Sequence, residues 1–141
     1  MTAPVFIDTN VPMYAAGRAH PCREAARDSI RRIVSGHIDA FTDSEVLQEI
    51  LYRYFAIAEK ARGLAVFDSF ATLMKDRVLP VTEADVILAR QFADSFGDLS
   101  PRDLVHLAVM RNQGITRIIT ADAAFDAVGW VRRFDLQATP K

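Results

Sequence analysis

Acidic side chains sit just beyond the apolar runs of this chain, where a bound hard cation could do chemistry. Asp8 follows Val5-Phe6-Ile7, Asp43 and Glu45 follow Ile38–Phe41, and Asp122 follows Arg117-Ile118-Ile119-Thr120. A carboxylate at the end of a buried strand costs desolvation unless it is paired or held on a cation. Taken alone, Asp8 reads equally as an Asx turn or cap closing the strand–helix corner. Thr9 and Asn10 beside it are residue types that orient a carboxylate by hydrogen bonds. Asp103 precedes Leu104–Met110, a stretch apolar on nearly every side, as a buried helix is. It is either the N3 partner of an N-cap Ser100 or one of several buried acids whose repulsion a cation relieves. Glu49 lies at the edge of an apolar helix stripe, where Arg53 four residues on offers an ordinary ion pair. Glu45, one turn earlier, competes with Glu49 as a ligand. Asp122 and Asp126 flank Phe125; Asp122 could instead cap a short turn, and both could stand in water.

Carboxylates from separate segments, with one cysteine and three histidines, suit Mg2+ or Mn2+, which prefer oxygen ligands. His20, His37 and His106 share no zinc-ligand spacing, and His106 reads as a packed or surface helix residue. The six glycines are scattered, so there is neither a P-loop nor a dinucleotide fingerprint. No nucleophile elbow or Ser-His-Asp order is visible, which argues against acyl transfer. Cys22 stands alone, so no intrachain disulfide forms.

The elements that must position these acids alternate. Strands are expected at Val5–Ile7, Ile38–Phe41, Val78–Val81, Arg117–Thr120 and Val131–Phe134. Helices are expected over Pro21–Ile33, from a Thr42–Glu45 capping-box pattern to Lys60, over Leu64–Lys75, and from a second capping box at Thr82–Asp85 to Ser95. A last helix opens at Ser100 with Pro101 in its first position. Such alternation implies an α/β fold of βαβ units with a mainly parallel sheet flanked by helices. Ligands then bind beyond the carboxyl ends of the strands. At 141 residues, half apolar and without repeat or linker, the chain (1–141) is expected to be one domain with its core at about 5–134 and a loose tail over 135–141. Seventeen Lys/Arg against eighteen Asp/Glu exclude polyanion binding by bulk charge, though not by a local patch. The longest apolar run, Tyr54–Ala58, is far short of the about 20 residues that span a membrane. The first residues lack the basic segment of a signal peptide, so a cytoplasmic location without membrane contact is expected.

Four motifs then carry a resemblance. Phe6-Ile7-Asp8-Thr9-Asn10, Ser44-Glu45-Val46-Leu47-Gln48-Glu49, Leu99-Ser100-Pro101-Arg102-Asp103 and Thr120-Ala121-Asp122-Ala123-Ala124-Phe125 resemble those of PIN-domain proteins. More narrowly, the chain is similar to VapC-type toxins of bacterial toxin–antitoxin (VapBC) pairs, from about Val5 to Phe134. The resemblance implies a PIN-like α/β/α sandwich and an Mg2+- or Mn2+-dependent endoribonuclease leaving a 5′-phosphate and a 3′-hydroxyl. The family's four acids fall on Asp8, Glu49, Asp103 and Asp122, with Thr9, Asn10 and Thr120 in support. Asp126 competes for the fourth place, and Ala124 stands where many relatives carry an acid. A cognate VapB-like antitoxin, blocking the acidic groove with a basic residue, is implied as well.

An acidic site must still attract RNA. Arg53, Arg102 and Arg111 lie on the two site helices, and Arg23, Arg27 and Arg31 form a stripe whose plainer reading is a solvated face paired with Glu24 and Asp28, with RNA contact as the alternative. The aromatic group Tyr52, Tyr54, Phe55, Phe67 and Phe70 serves either the core or a homodimer. Two alternatives stand beside the nuclease. One is a metal-dependent phosphatase or receiver-like α/β domain, although Asp8-Thr9-Asn10 lacks a second aspartate two residues on. The other is a non-catalytic PIN-like interaction module.

Overall fold

A computed structural model describes residues 3–136. Of the loose tail expected over 135–141, residues 137–141 lie outside the described residues. Five strands form: β1 (Pro4–Ile7), β2 (Asp39–Asp43), β3 (Val78–Leu79), β4 (Arg117–Ile119) and β5 (Arg132–Phe134). They make one sheet of order β3-β2-β1-β4-β5, and every pairing is parallel. Helices α1 (Asn10–Ala16), α2 (Arg23–Val34), α3 (Ser44–Ala56), α4 (Lys60–Leu73), α5 (Glu83–Ala93) and α6 (Pro101–Gln113) flank it, and a 3-10 turn covers Ala123–Ala127.

β1 is central because its residues suit a sheet covered on both faces. Phe6 and Ile7 are wholly buried, as are Ile118 and Ile119 beside them on β4. Burying each such side chain contributes about 1.5–3 kcal/mol. Phe6 pairs in register with Phe41 on one side and Ile118 on the other, and Ile7 pairs with Ile119. The central strands therefore end along one edge, where the chain leaves at Asp8, Asp43 and Thr120. The chain goes from β1 to β2 on one side and returns to place β4 on the other. That makes the β1/β4 edge a topological switch point, the place where such sheets bind ligands. A receiver-type sheet has the order 2-1-3-4-5, so the observed order removes that alternative.

Several local expectations change. The Asp8-Thr9-Asn10 turn leads directly into α1, a helix that the sequence reading omits. Pro12 lies in its first turn, where its missing N–H is not needed, and Val11 and Pro12 are buried. The Thr42–Glu45 capping box does not form. Asp43 is the N-cap of α3, accepting from the Val46 N–H at 2.9 Å, while the Thr42 hydroxyl donates to the Ile7 carbonyl at 2.9 Å. The Thr82–Asp85 box does form, and Ser100 caps α6 by accepting from the Asp103 N–H at 3.2 Å. β3 stops at Leu79, two residues short of the expected strand. Two residues assigned to the tail pack instead: Leu136 is buried, and Asp135 lies 3.3 Å from Arg133.

α3 stops at Ala56 rather than Lys60 because Ala58 adopts a left-handed φ of 58°, and α4 starts four residues before the expected Leu64. The two helices approach closely at Gly63, where an added Cβ would lie 2.5 Å from Tyr54 Cβ. Gly63→Ala should therefore destabilise the protein by about 1–3 kcal/mol through overpacking, which exceeds the roughly 1 kcal/mol of helix propensity it gains. Thermal melts should show a lower midpoint; an unchanged or raised one would contradict the close approach.

Candidate active site

Asp8, at the end of β1, is buried and held from two sides. Its Oδ1 accepts from the Thr9 N–H at 2.7 Å and its Oδ2 from the Thr120 hydroxyl at 2.7 Å. Thr120, just past β4, is the hub of this corner. Its Oγ1 also accepts from Asn10 Nδ2 at 3.1 Å and from the Asp122 N–H at 3.1 Å, while Asn10 Oδ1 accepts from the Ala121 N–H at 3.3 Å. Asn10 and Thr120, two of the three polar residues expected to support the site, thus tie the ends of β1 and β4 together, while Thr9 bonds Asp8 and Glu49.

Glu49, on α3, is buried, and the Thr9 hydroxyl donates to its Oε1 at 2.8 Å. Its Oε2 faces Arg53 at 3.4 Å and Arg102 at 3.5 Å. The ion pair with Arg53 forms, yet Glu49 is not a surface residue. Burial alone would raise its pKa, but His106, Thr9 and Arg102 outweigh it and bring the carboxyl down to about 2. Glu45 is half-buried one turn away, outside the residues lining the pocket.

Asp103, in the first turn of α6, completes the acidic wall with Asp122. Burial, the nearby Asp8 and the hydrogen-bonding Asp122 carboxyl push Asp103 up to about 7. Asp122 spends Oδ1 on capping the 3-10 turn, accepting from the Ala124 N–H at 3.0 Å, and still lines the pocket. Asp126 is drawn away: both its oxygens accept from Arg133 at 2.9 Å, on the surface. The resulting pocket of about 340 Å³ brings together Asp8, Glu49, Asp103 and Asp122, with Thr9 and Asn10 and with Arg53 and Arg102 at the rim. A larger groove of about 470 Å³, lined by Pro12, Ile30, Val66, Phe70 and Leu73, is mainly apolar and has no acid in its wall.

Arg111 is not brought to this pocket; it stacks on Trp130, its guanidinium 5.1 Å from the ring. Arg27 and Arg31 pair with Glu24 and Asp28 at 3.8 and 3.9 Å, as a solvated helix face does.

The residue that sequence reasoning missed is His106. It lies on α6 one turn after Asp103 and is wholly buried under the acids. Its Nδ1 is 2.8 Å from Asp43 Oδ2, and its Nε2 lies 3.9 Å from both Asp8 Oδ1 and Glu49 Oε1. Burial opposes a charge on the ring, but Asp43, Glu49 and Asp8 prevail and hold its pKa well above the usual imidazole range. Burial also raises Asp8, against His106, Thr120 and Thr9. A signal did exist: a titratable residue inside the otherwise apolar Leu104–Met110 stretch needs a buried partner.

Known proteins share this framework. The PIN domain family model matches residues 5–131. Ribonuclease VapC13 of Mycobacterium tuberculosis is 37% identical over 129 residues, covering 92% of this chain and 98% of the relative. The crystal structure of M. tuberculosis VapC20, described as a sarcin-ricin loop cleaving toxin, superposes with a TM-score of 0.74 at 21% identity, covering 96% of this chain and 99% of that one. VapBC2 from Rickettsia felis, solved bound to a promoter DNA fragment, has a TM-score of 0.70 at 14% identity, covering 94% and 98%. The chain belongs to the PIN domain family. No described helix is long and apolar enough to cross a membrane.

Proposed function

We propose that this chain is a divalent-cation-dependent endoribonuclease, the cytoplasmic toxin of a toxin–antitoxin pair, folded as a single domain. The observation that carries the reading is the convergence of Asp8, Glu49, Asp103 and Asp122, from four separate segments, on one pocket at the sheet's switch point. Its relationship to VapC ribonucleases supports it. So does the chemistry of the donors: several carboxylate oxygens face one another, and the buried His106 Nε2 has no partner, a set that a cation would satisfy. Mg2+ or Mn2+ in this pocket would activate water and neutralise charge developing on the phosphodiester.

The residues divide the work. Asp8 and Asp103, with Glu49 and Asp122, would hold the cation. Thr9, Asn10 and Thr120 fix the Asp8 and Glu49 oxygens in place before anything binds, which lowers the reorganisation needed later. Arg53 and Arg102 at the rim would receive the phosphate flanking the cut, leaving a 5′-phosphate and a 3′-hydroxyl. A VapB-like antitoxin would close the pocket with a basic residue directed at these acids. Tyr52 and Phe55 on α3 remain exposed at 56% and 48%, and they are the apolar surface a homodimer would cover. Light scattering at micromolar concentration should give about twice the chain mass, and a monomer would remove that partner.

The deciding experiment is cleavage of a structured RNA by the purified protein with Mg2+, Mn2+ or EDTA, followed by analysis of the ends. Cutting with either metal, none in EDTA, and 5′-phosphate ends are expected. Cutting that survives EDTA would overturn the reading. Arg53→Ala/Arg102→Ala should weaken RNA binding at low salt by roughly tenfold and flatten its salt dependence, because each lost phosphate contact removes a released counterion. Arg111→Ala should leave binding unchanged; an equal loss there would move the RNA path away from this pocket.

A further inference from the structure

His106 Nε2 is the one wholly buried side-chain polar atom among the described residues that has no hydrogen-bond partner. It is not idle by geometry. The ring is locked by Asp43 at Nδ1 and lies 5.3 Å from the Phe6 ring, so Nε2 can aim only at Asp8 and Glu49. At 3.9 Å it is too far from either oxygen for a hydrogen bond. All three atoms nevertheless lie within 4.8 Å of one another. One ion bridges donors so spaced with bonds a little over about 2 Å. Asp43 behind the ring completes the carboxylate–histidine arrangement that sets the tautomer of a ligating imidazole.

We propose that His106 Nε2 ligates the divalent cation, so that Asp8, Glu49 and His106 form a mixed oxygen–nitrogen site that favours Mn2+ over Mg2+. Mg2+ takes oxygen donors and keeps its waters, whereas first-row transition ions accept imidazole. Asp103 and Asp122 line the same pocket as Asp8 and Glu49, so this site adds to the acidic wall and does not replace it.

The inference rests on the cation-dependent reading above, but its test reads the ion and not the cleavage. Mn2+ bound to the full chain is examined by pulsed electron paramagnetic resonance. An imidazole nitrogen-14 coupling is expected in the wild type, changing to the nitrogen-15 pattern in protein labelled at histidine. It should persist in His20→Gln/His37→Gln and vanish in His106→Gln. Mn2+ affinity of His106→Gln should fall roughly 10–100-fold, with Mg2+ affinity little changed. Bound Mn2+ without nitrogen coupling in the wild type, or no bound Mn2+, overturns the proposal, and neither result depends on a variant folding. Nitrogen coupling in a protein that cuts no RNA would sustain this site and sink the nuclease.

Discussion

Asp8→Asn is expected to abolish metal-dependent RNA cleavage while leaving the protein folded. Asparagine has nearly the same shape, and its carbonyl still accepts from the Thr9 N–H, which meets Asp8 at 2.7 Å. What it removes is a negative charge that Asp8 brings both to the Glu49–His106 cluster and to the pocket wall with Asp103 and Asp122. Changes beyond the ligands of a metal already cost 10–100-fold, so loss of a central ligand should lower the single-turnover rate by at least about 100-fold. Stability should move the other way. Asp8 is buried beside acids that repel it, and its charge is the second cause of the raised Asp103 pKa, after burial. Metal-free Asp8→Asn should therefore melt no lower than wild type. Equal cleavage by both proteins would place the site elsewhere, and a lower melting point would show that Asp8 is there for the fold.

How much of this was visible in the sequence depends on the range of the interaction. Val5–Ile7, the Thr82–Asp85 box and the Ser100 cap are decided within a few residues, and the structure forms each of them. α1 escaped because it is seven residues long, starts without a side-chain cap and carries Pro12 in its first turn. The acids were legible as strand-end residues, but the environment of each was not. Glu49 looks like half of a surface pair until Thr9, forty residues earlier, is placed against it. Asp126 and Asp122 are equivalent in sequence; Arg133, arriving on β5, separates them. His106 was hidden for the same reason, since Asp43 is 63 residues away.

The metal-free protein should lose stability as pH rises from about 4 to about 7, and Asp103→Asn should flatten that slope. The Asp103 carboxyl titrates near 3.9 in an unfolded chain but at about 7 in the fold, through burial and then the Asp8 and Asp122 carboxyls. Between those values the native state keeps a proton that the unfolded state has released. Each pH unit then removes up to about 1.4 kcal/mol, and the loss stops once both states are ionised. Asp8 and His106, both raised, pull the same way, so a residual slope should remain in the variant and continue above pH 7 through His106. Glu49 is shifted downward, to about 2, and its contribution fades only as pH falls below about 4, under this window. A divalent cation needs the ionised carboxylate, so its binding below pH 7 must expel the Asp103 proton. The stabilisation by a fixed Mn2+ concentration should accordingly grow up to about pH 7 through Asp103, and go on growing above it while His106, whose pKa is also raised, gives up its own proton. Melting curves from pH 5 to 8, with and without Mn2+, test both parts. Identical slopes in wild type and Asp103→Asn would mean that Asp103 is ionised throughout and that the acidic wall carries no shared proton for a cation to displace.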